Sequence, residues 1–222
     1  MTLSAQRILL SFLLIFNLSN LFAEPQNLGL LKDELVQYHN DGQYEKEFNE
    51  VIRQAECYIQ KRAAQNRQMQ NRKKLALVLD IDETSLSNYA NLEKHDFAVS
   101  TAAFRKSVFK ARATAIPGML HLYNLAQKNN ITVFFVTGRR TSERQPTELN
   151  LHRAGYNHWG ALFLKPNDYK ESSVIPFKSG TRRAIEAKGY TIVATIGDQY
   201  SDLKGGFAEK GFKLPNPYYF LP

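Results

Sequence analysis

Residues 75–85 read LALVLDIDETS. Five aliphatic residues in a row, with no polar residue alternating among them, describe a strand buried on both faces, as in a parallel sheet. The run then stops on two aspartates one residue apart, Asp80 and Asp82, followed by Glu83. Unit charges 4 Å apart repel by about 4 kcal/mol at an effective dielectric near 20. A counter-charge is needed at this strand end.

Working outward, three further apolar runs at 132–136, 161–164 and 191–196 have the same unalternated character. Helical segments separate them. Pro117-Gly118 opens one that ends near Asn129-Asn130; a second is expected from Pro146, as its first residue, to Gly155; a third runs over 181–188 and stops at Gly189. Strands alternating with helices predict an α/β fold, a three-layer Rossmann-like parallel sheet with helices on both sides. Residues 85–116 are too many for a simple crossover and contain a helical stretch at 101–113, so they predict a small helical cap. Ahead of the first strand, Tyr44, Phe48, Val51, Ile52, Ala55, Tyr58 and Ile59 follow a helical period within 40–70, which predicts an N-terminal helical extension.

The first 23 residues differ in kind. Arg7, an apolar run at 8–16 and the small residue Ala23 give the layout of a secretory signal with cleavage after Ala23. The run is shorter than the ~20 apolar residues that a span needs, so no stable membrane insertion is expected, an uncleaved anchor being the lesser alternative. The domain is therefore expected over 24–222, in a periplasmic or secreted location. Cys57 is the only cysteine, which excludes an intramolecular disulfide. The net charge of +8 falls by one, to +7, if Arg7 leaves with the signal. Its cations are scattered, without an arginine-rich block, so a nucleic-acid polymer is not expected as a specific partner. Mild steering of a small anionic substrate is. No residue pattern specifies an oligomeric state.

In open parallel sheets ligands bind beyond the carboxyl ends of the strands. The first run here leads into Asp80, Asp82 and Thr84, the second into Thr137, Gly138 and Arg139, and the fourth into Gly197, Asp198 and Asp202, while Lys178 stands ahead of the third helix. Carboxylates, hydroxyls and a lysine on one rim suit a divalent cation and a phosphate together. A calcium loop counted from Asp80 fails, because its fifth, sixth and twelfth positions are Thr84, Ser85 and Asn91. Asp202 has a second reading, as the cap of a helical segment at 203–209.

Taken in order, VLDIDET, FFVTGRR, PFKSG and IGDQYSDL resemble the four motifs of the haloacid dehalogenase superfamily, specifically its class C bacterial acid phosphatases and plant vegetative storage proteins of subfamily IIIB. The resemblance extends to AIPGMLHLYNLA, LHRAGY and FKLPNPYY. It implies a phosphate monoester hydrolase with Asp80 as nucleophile, forming an aspartyl phosphate, and Asp82 as general acid and base. It further implies Mg²⁺ on Asp80, the main-chain carbonyl of Asp82 and Asp198; phosphate held by Thr137, Gly138 and Lys178; and Asp202 fixing either Lys178 or a metal-bound water. Dehalogenases of the superfamily lack the second aspartate and transport ATPases carry threonine there, so Asp82 favours hydrolysis of the phosphoenzyme. The alternative is a non-catalytic storage or phosphate-binding protein of the same fold. Family members often take nucleoside monophosphates by stacking the base on cap aromatics, and Tyr89, His95, Phe97, Phe104 and Phe109 are candidates here, although core packing explains any one of them as well.

Overall fold

The computed structural model describes residues 24–221; the leader expected at 1–23 lies outside them. Two helices, α1 (Leu28–Asn40) and α2 (Gln43–Gln68), precede the first strand, β1 (Lys74–Leu79). Then come β2 (Leu86–Ser87), α3 (Tyr89–Lys94), α4 (Thr101–Lys110) and β3 (Thr114–Ala115). The rest alternates: α5 (Pro117–Lys128), β4 (Thr132–Arg140), α6 (Arg144–Arg153), β5 (Ala161–Lys165), α7 (Ile175–Ala187), β6 (Tyr190–Gly197) and β7 (Lys210–Lys213).

The main sheet is parallel throughout, in the order β5-β4-β1-β6-β7. Alternate residues of each strand feed two separate cores. Leu75, Leu77, Leu79, Val133 and Phe135 join a large cluster with α2 and α5, whereas Ala76, Val78, Phe134 and Val136 meet Ile185 of α7 on the other face. This is a three-layer sandwich. In α2 the buried residues Tyr44, Phe48, Ile52, Ala55, Ile59 and Ala63 recur every three or four positions, so one stripe faces the sheet and the charged residues stay in water. No helix among the described residues is long and apolar enough to cross a membrane.

Several element boundaries depart from the expectations. Helix α6 begins at Arg144, because a 3-10 turn at Thr141–Glu143 runs straight into it. Pro146 is its third residue, a position whose N–H has no partner within the helix. Helix α7 starts at Ile175 with Pro176 second, so Lys178 lies inside its first turn. Ser179-Gly180 reads locally as a breaker, but burial of Lys178, Thr181, Arg182 and Ile185 against the sheet and the loop that follows β6 overrides that preference. The helical segment expected at 203–209 does not form. Gly205, Gly206 and Phe207 all have positive φ (87°, 78° and 62°), which no right-handed helix can contain. Strand β7, with Phe212 its one apolar side chain, has no sequence signature of its own. The expected cap helix at 101–113 stops at Lys110, where Ala111 turns left-handed at φ 50°.

With β1 at the centre, the chain first builds outward through β4 and β5 and then returns to the other side of β1 for β6 and β7. The carboxyl ends of β1 and β6 therefore flank the topological switch point, where a crevice opens. Asp80 and Asp198 come directly after those two strands.

Candidate active site

A tight turn shapes the first motif. The carbonyl of Ile81 accepts from the amides of Ser85 and Leu86 at 2.8 Å each, Ser85 Oγ donates to the carbonyl of Asp80 at 2.7 Å, and Glu83 takes φ 53°. Thr84 ties this turn to the opposite strand end. Its Oγ1 donates to Asp198 Oδ1 (3.0 Å) and accepts from the Asp198 amide (3.1 Å).

Asp80, Asp198 and Asp202 each offer a carboxylate oxygen, and the three atoms lie within 4.8 Å of one another in a buried setting. Lys178 bridges two of them: Nζ donates to Asp80 Oδ1 at 2.9 Å and to Asp202 Oδ1. Asp202 reaches this position because Gly197 has no side chain; a Cβ there would come within 2.2 Å of the Asp202 carboxyl carbon. The second oxygen of Asp202 accepts from the Gln199 amide at 2.9 Å, so the residue caps the 3-10 turn Tyr200–Asp202 and also holds the lysine. Arg182 secures the same loop from below by donating to the carbonyls of Asp202 and Gly206, both at 2.8 Å, and of Lys204.

Crowding sets the electrostatics. Burial, then the charge of Asp202, raises Asp80 well above the usual carboxyl range, with Lys178 opposing. The same two causes raise Asp198. Burial acts to lower Lys178, but Asp202 and Asp80 outweigh it and raise the ammonium above its ordinary value. Three carboxylates against one lysine leave a negative surplus of two. Hard, closely spaced oxygen donors with surplus negative charge fit a small divalent cation.

Asp82 contributes no carboxylate to this group. Both of its oxygens are taken by Arg139, at 2.7 Å from the terminal nitrogen and 3.0 Å from Nε, and Asn88 Nδ2 adds a bond of 2.8 Å. Asp80, Asp82, Thr137, Gly138 and Lys178 all line one cavity of about 330 Å³, closed on its far side by the cap. From the cap aromatics Phe97 and Phe104 reach it. Tyr89 instead stacks on His39 at 3.4 Å, and Phe109 is 55% exposed.

Sequence reading gives no role to the segment after β7. Asn216 Nδ2 donates to Asp198 Oδ2 at 2.6 Å, beside Gln199 Nε2 at 2.7 Å, and the Leu221 amide donates to Gln199 Oε1 at 3.0 Å. Tyr219 donates its hydroxyl to Glu83 at 3.0 Å. Burial, then the charges of Asp82 and Asp198, pushes Glu83 up to about 8. The polar residues of FKLPNPYY are the one signal of this in the chain.

The chain is similar to several known proteins. The chain is 34% identical over 191 residues to the stem 28 kDa glycoprotein of Glycine max, covering 83% of this chain and 72% of the relative. It is 36% identical over 148 residues to acid phosphatase 1 of Solanum lycopersicum, covering 65% and 58% respectively. The class C acid phosphatase from Bacillus anthracis shares the fold, with a TM-score of 0.68 over 86% of each chain at 22% identity. Residues 17–222 match the family model described as HAD superfamily, subfamily IIIB (acid phosphatase), and the chain belongs to that family of phosphomonoesterases.

Proposed function

We propose that the protein is an exported, Mg²⁺-dependent acid phosphatase that hydrolyses small phosphate monoesters through a phosphoaspartate. The observation that carries the reading is Lys178 set between Asp80 and Asp202, with Asp198 in reach, on the wall of a cavity that Asp82 also lines. In this reading residues 1–23 are a cleaved signal, 24–222 the catalytic domain and 85–116 its cap.

Asp80 attacks phosphorus while the bond to the leaving oxygen breaks, and Asp82 gives that oxygen its proton. Arg139 and Asn88 hold the Asp82 carboxylate, so the proton is delivered from a set direction. Asp82 then takes a proton from the water that attacks the phosphoaspartate, which returns Asp82 to its protonated form, frees the Asp80 carboxylate and releases phosphate. Lys178 neutralises charge on Asp80 and the phosphoryl oxygens, Asp202 positions Lys178, and Thr137 with the amide of Gly138 holds phosphate oxygens. Asp80, Asp198 and the Asp82 carbonyl would hold Mg²⁺, which when bound lowers the repulsion between carboxylate and phosphate. Phe97 and Phe104 give a flat leaving group, such as the base of a nucleoside monophosphate, two aromatic surfaces.

Kinship to proteins named for storage supports a second reading, a non-catalytic store. Purified protein assayed against aryl, alkyl and nucleoside phosphates decides between them. Turnover with Mg²⁺ that EDTA abolishes is expected. Full turnover in EDTA rejects the metal, and no turnover of any ester favours storage.

A further inference from the structure

The cavity wall away from the acidic group carries three cations, Arg105, Arg140 and Lys165, and one carboxylate, Glu143. Glu143 is engaged twice: Oε1 accepts from Arg105 Nε at 3.2 Å and Oε2 from the main-chain amide of Arg140 at 2.5 Å. Arg140 and Lys165 are register partners on the adjacent parallel strands β4 and β5. Like charges on neighbouring strands repel.

Among the described residues neither side chain has a salt bridge. Arg140 donates only to the carbonyl of Asn167, and the Lys165 ammonium lies 5.6 Å from the centre of the Tyr169 ring. The other cavity cations are matched, Arg139 by Asp82 and Lys178 by Asp80 and Asp202. Burial, then the charges of Arg140 and Lys178, lowers Lys165, with Glu143 opposing. Three cations against one carboxylate leave a surplus of two positive charges, half-buried, beside the place where a leaving group would sit.

We propose that Arg140 and Lys165 form a second anion subsite, which selects phosphate monoesters whose leaving group carries a further negative group, a carboxylate or a second phosphate. The proposal rests on the phosphatase reading of the adjoining site. At about 330 Å³ the cavity is at the small end for ligand sites, so it suits a compact ester with its two anionic ends close together. Such a ligand supplies the counter-charge that this wall lacks. Its effect falls on affinity, not on the chemical step, and weakens as salt screens the partly exposed pair.

The test is calorimetric binding to the Asp80→Asn protein with Mg²⁺, which needs no turnover, alongside steady-state kinetics of the parent. Phenyl phosphate is compared with 4-carboxyphenyl phosphate, and adenosine monophosphate with adenosine bisphosphate, so the carboxylate and phosphate arms are read separately. In at least one arm the ester with the extra anion should bind about tenfold tighter, the worth of one modest charge-assisted contact. Arg140→Gln with Lys165→Gln should bring that ratio to about one while phenyl phosphate affinity changes by less than about twofold. Lys165→Gln alone, at a half-buried site, serves if the double variant melts early. Equal affinities in both arms, or a ratio that survives the substitutions, overturn the subsite. Binding with the expected pattern while the parent protein hydrolyses none of the esters overturns the phosphatase reading and leaves the subsite standing.

Discussion

At the base of the cavity Asp80 is 6% exposed and Lys178 and Asp202 3% each, and every charged side chain there has a charged or hydrogen-bonded partner. Across the same cavity Phe97, Phe104 and Arg105 of the cap are only half-buried, and the wall between carries unmatched charge. The base is fixed by backbone: each of its residues sits at a strand end, in a tight turn or in the first turn of α7. Phe97, Phe104 and Arg105 lie instead on a loop and on α4, outside the main sheet, in a cap joined to it by the β2–β3 pair and by side-chain bonds such as Asn150 to both main-chain groups of Ala113, at 2.6 and 3.0 Å. Reaction chemistry tolerates little displacement, because a misplacement near 1 Å costs about a hundredfold in rate. Selectivity tolerates more. The two regions differ accordingly in how tightly they are determined.

The largest effects should come from the base, and they divide by role. Asp80→Asn should lower kcat by about 10⁴ or more and leave no phosphate on the protein, since removing the nucleophile of a covalent mechanism costs on that order. Asp82→Asn should cost about 10² to 10⁴ with an alkyl ester, the usual worth of general acid–base catalysis, and less with an aryl ester, whose leaving oxygen needs little protonation. Phosphate should then accumulate on Asp80, visible by mass spectrometry after acid quench. Equal losses on both ester types with no phosphoenzyme would remove Asp82 from its role.

A second tier lies just behind the acidic group, where Asn216 donates to Asp198 at 2.6 Å. Burial and the charge of Asp202 raise Asp198, and the hydrogen bonds from Asn216 and Gln199 act against that. Asn216→Ala should weaken Mg²⁺ binding about 10- to 100-fold, the usual effect of losing a group that orients a ligand. Without the amide Asp198 is raised further, so as pH falls the carboxylate is lost earlier and the acid limb of Mg²⁺ binding moves to higher pH. Titration of Mg²⁺ at several pH values reads both. An unchanged affinity would mean that the segment after β7 packs beside the site without tuning it.

The same contrast explains what could be read from the chain. Unalternated aliphatic runs mark β1, β4, β5 and β6, and the carboxylates after two of them come together because parallel strands end on one side of a sheet. Lys178 falls on the right rim by sequence but outside its helix, since Gly180 weakens the local helical signal and only tertiary burial restores it. Arg139 is visible as a residue after a strand, yet its clasp of Asp82 depends on a register shift between Thr137 and Arg140 that no local rule gives. Asn216 and Tyr219 act across the fold on Asp198 and Glu83, at sequence separations of 18 and 136, and their partners are set by the path of the loop.

The smallest effects belong to the cap, where the comparison can be pressed hardest. Phe97 and Phe104 both line the cavity, but their surroundings differ. Phe97 stacks on Tyr218 at 5.6 Å with planes 11° apart, so it is part of an aromatic cluster that continues to Tyr44 and Tyr89. Replacing it would loosen that cluster as well as the cavity. Phe104 is free of such pairings among the described residues and isolates the ligand contact. An aromatic pair is worth about 0.5–1.5 kcal/mol beyond its area, which converts to about 2- to 12-fold. Phe104→Ala should therefore raise KM for nucleoside and aryl phosphates by that factor, with kcat and melting temperature nearly unchanged and glycerol phosphate unaffected. An equal rise for glycerol phosphate would show that Phe104 sets the height of the cap over the base, and the cap would then belong to the positioned half of the molecule after all.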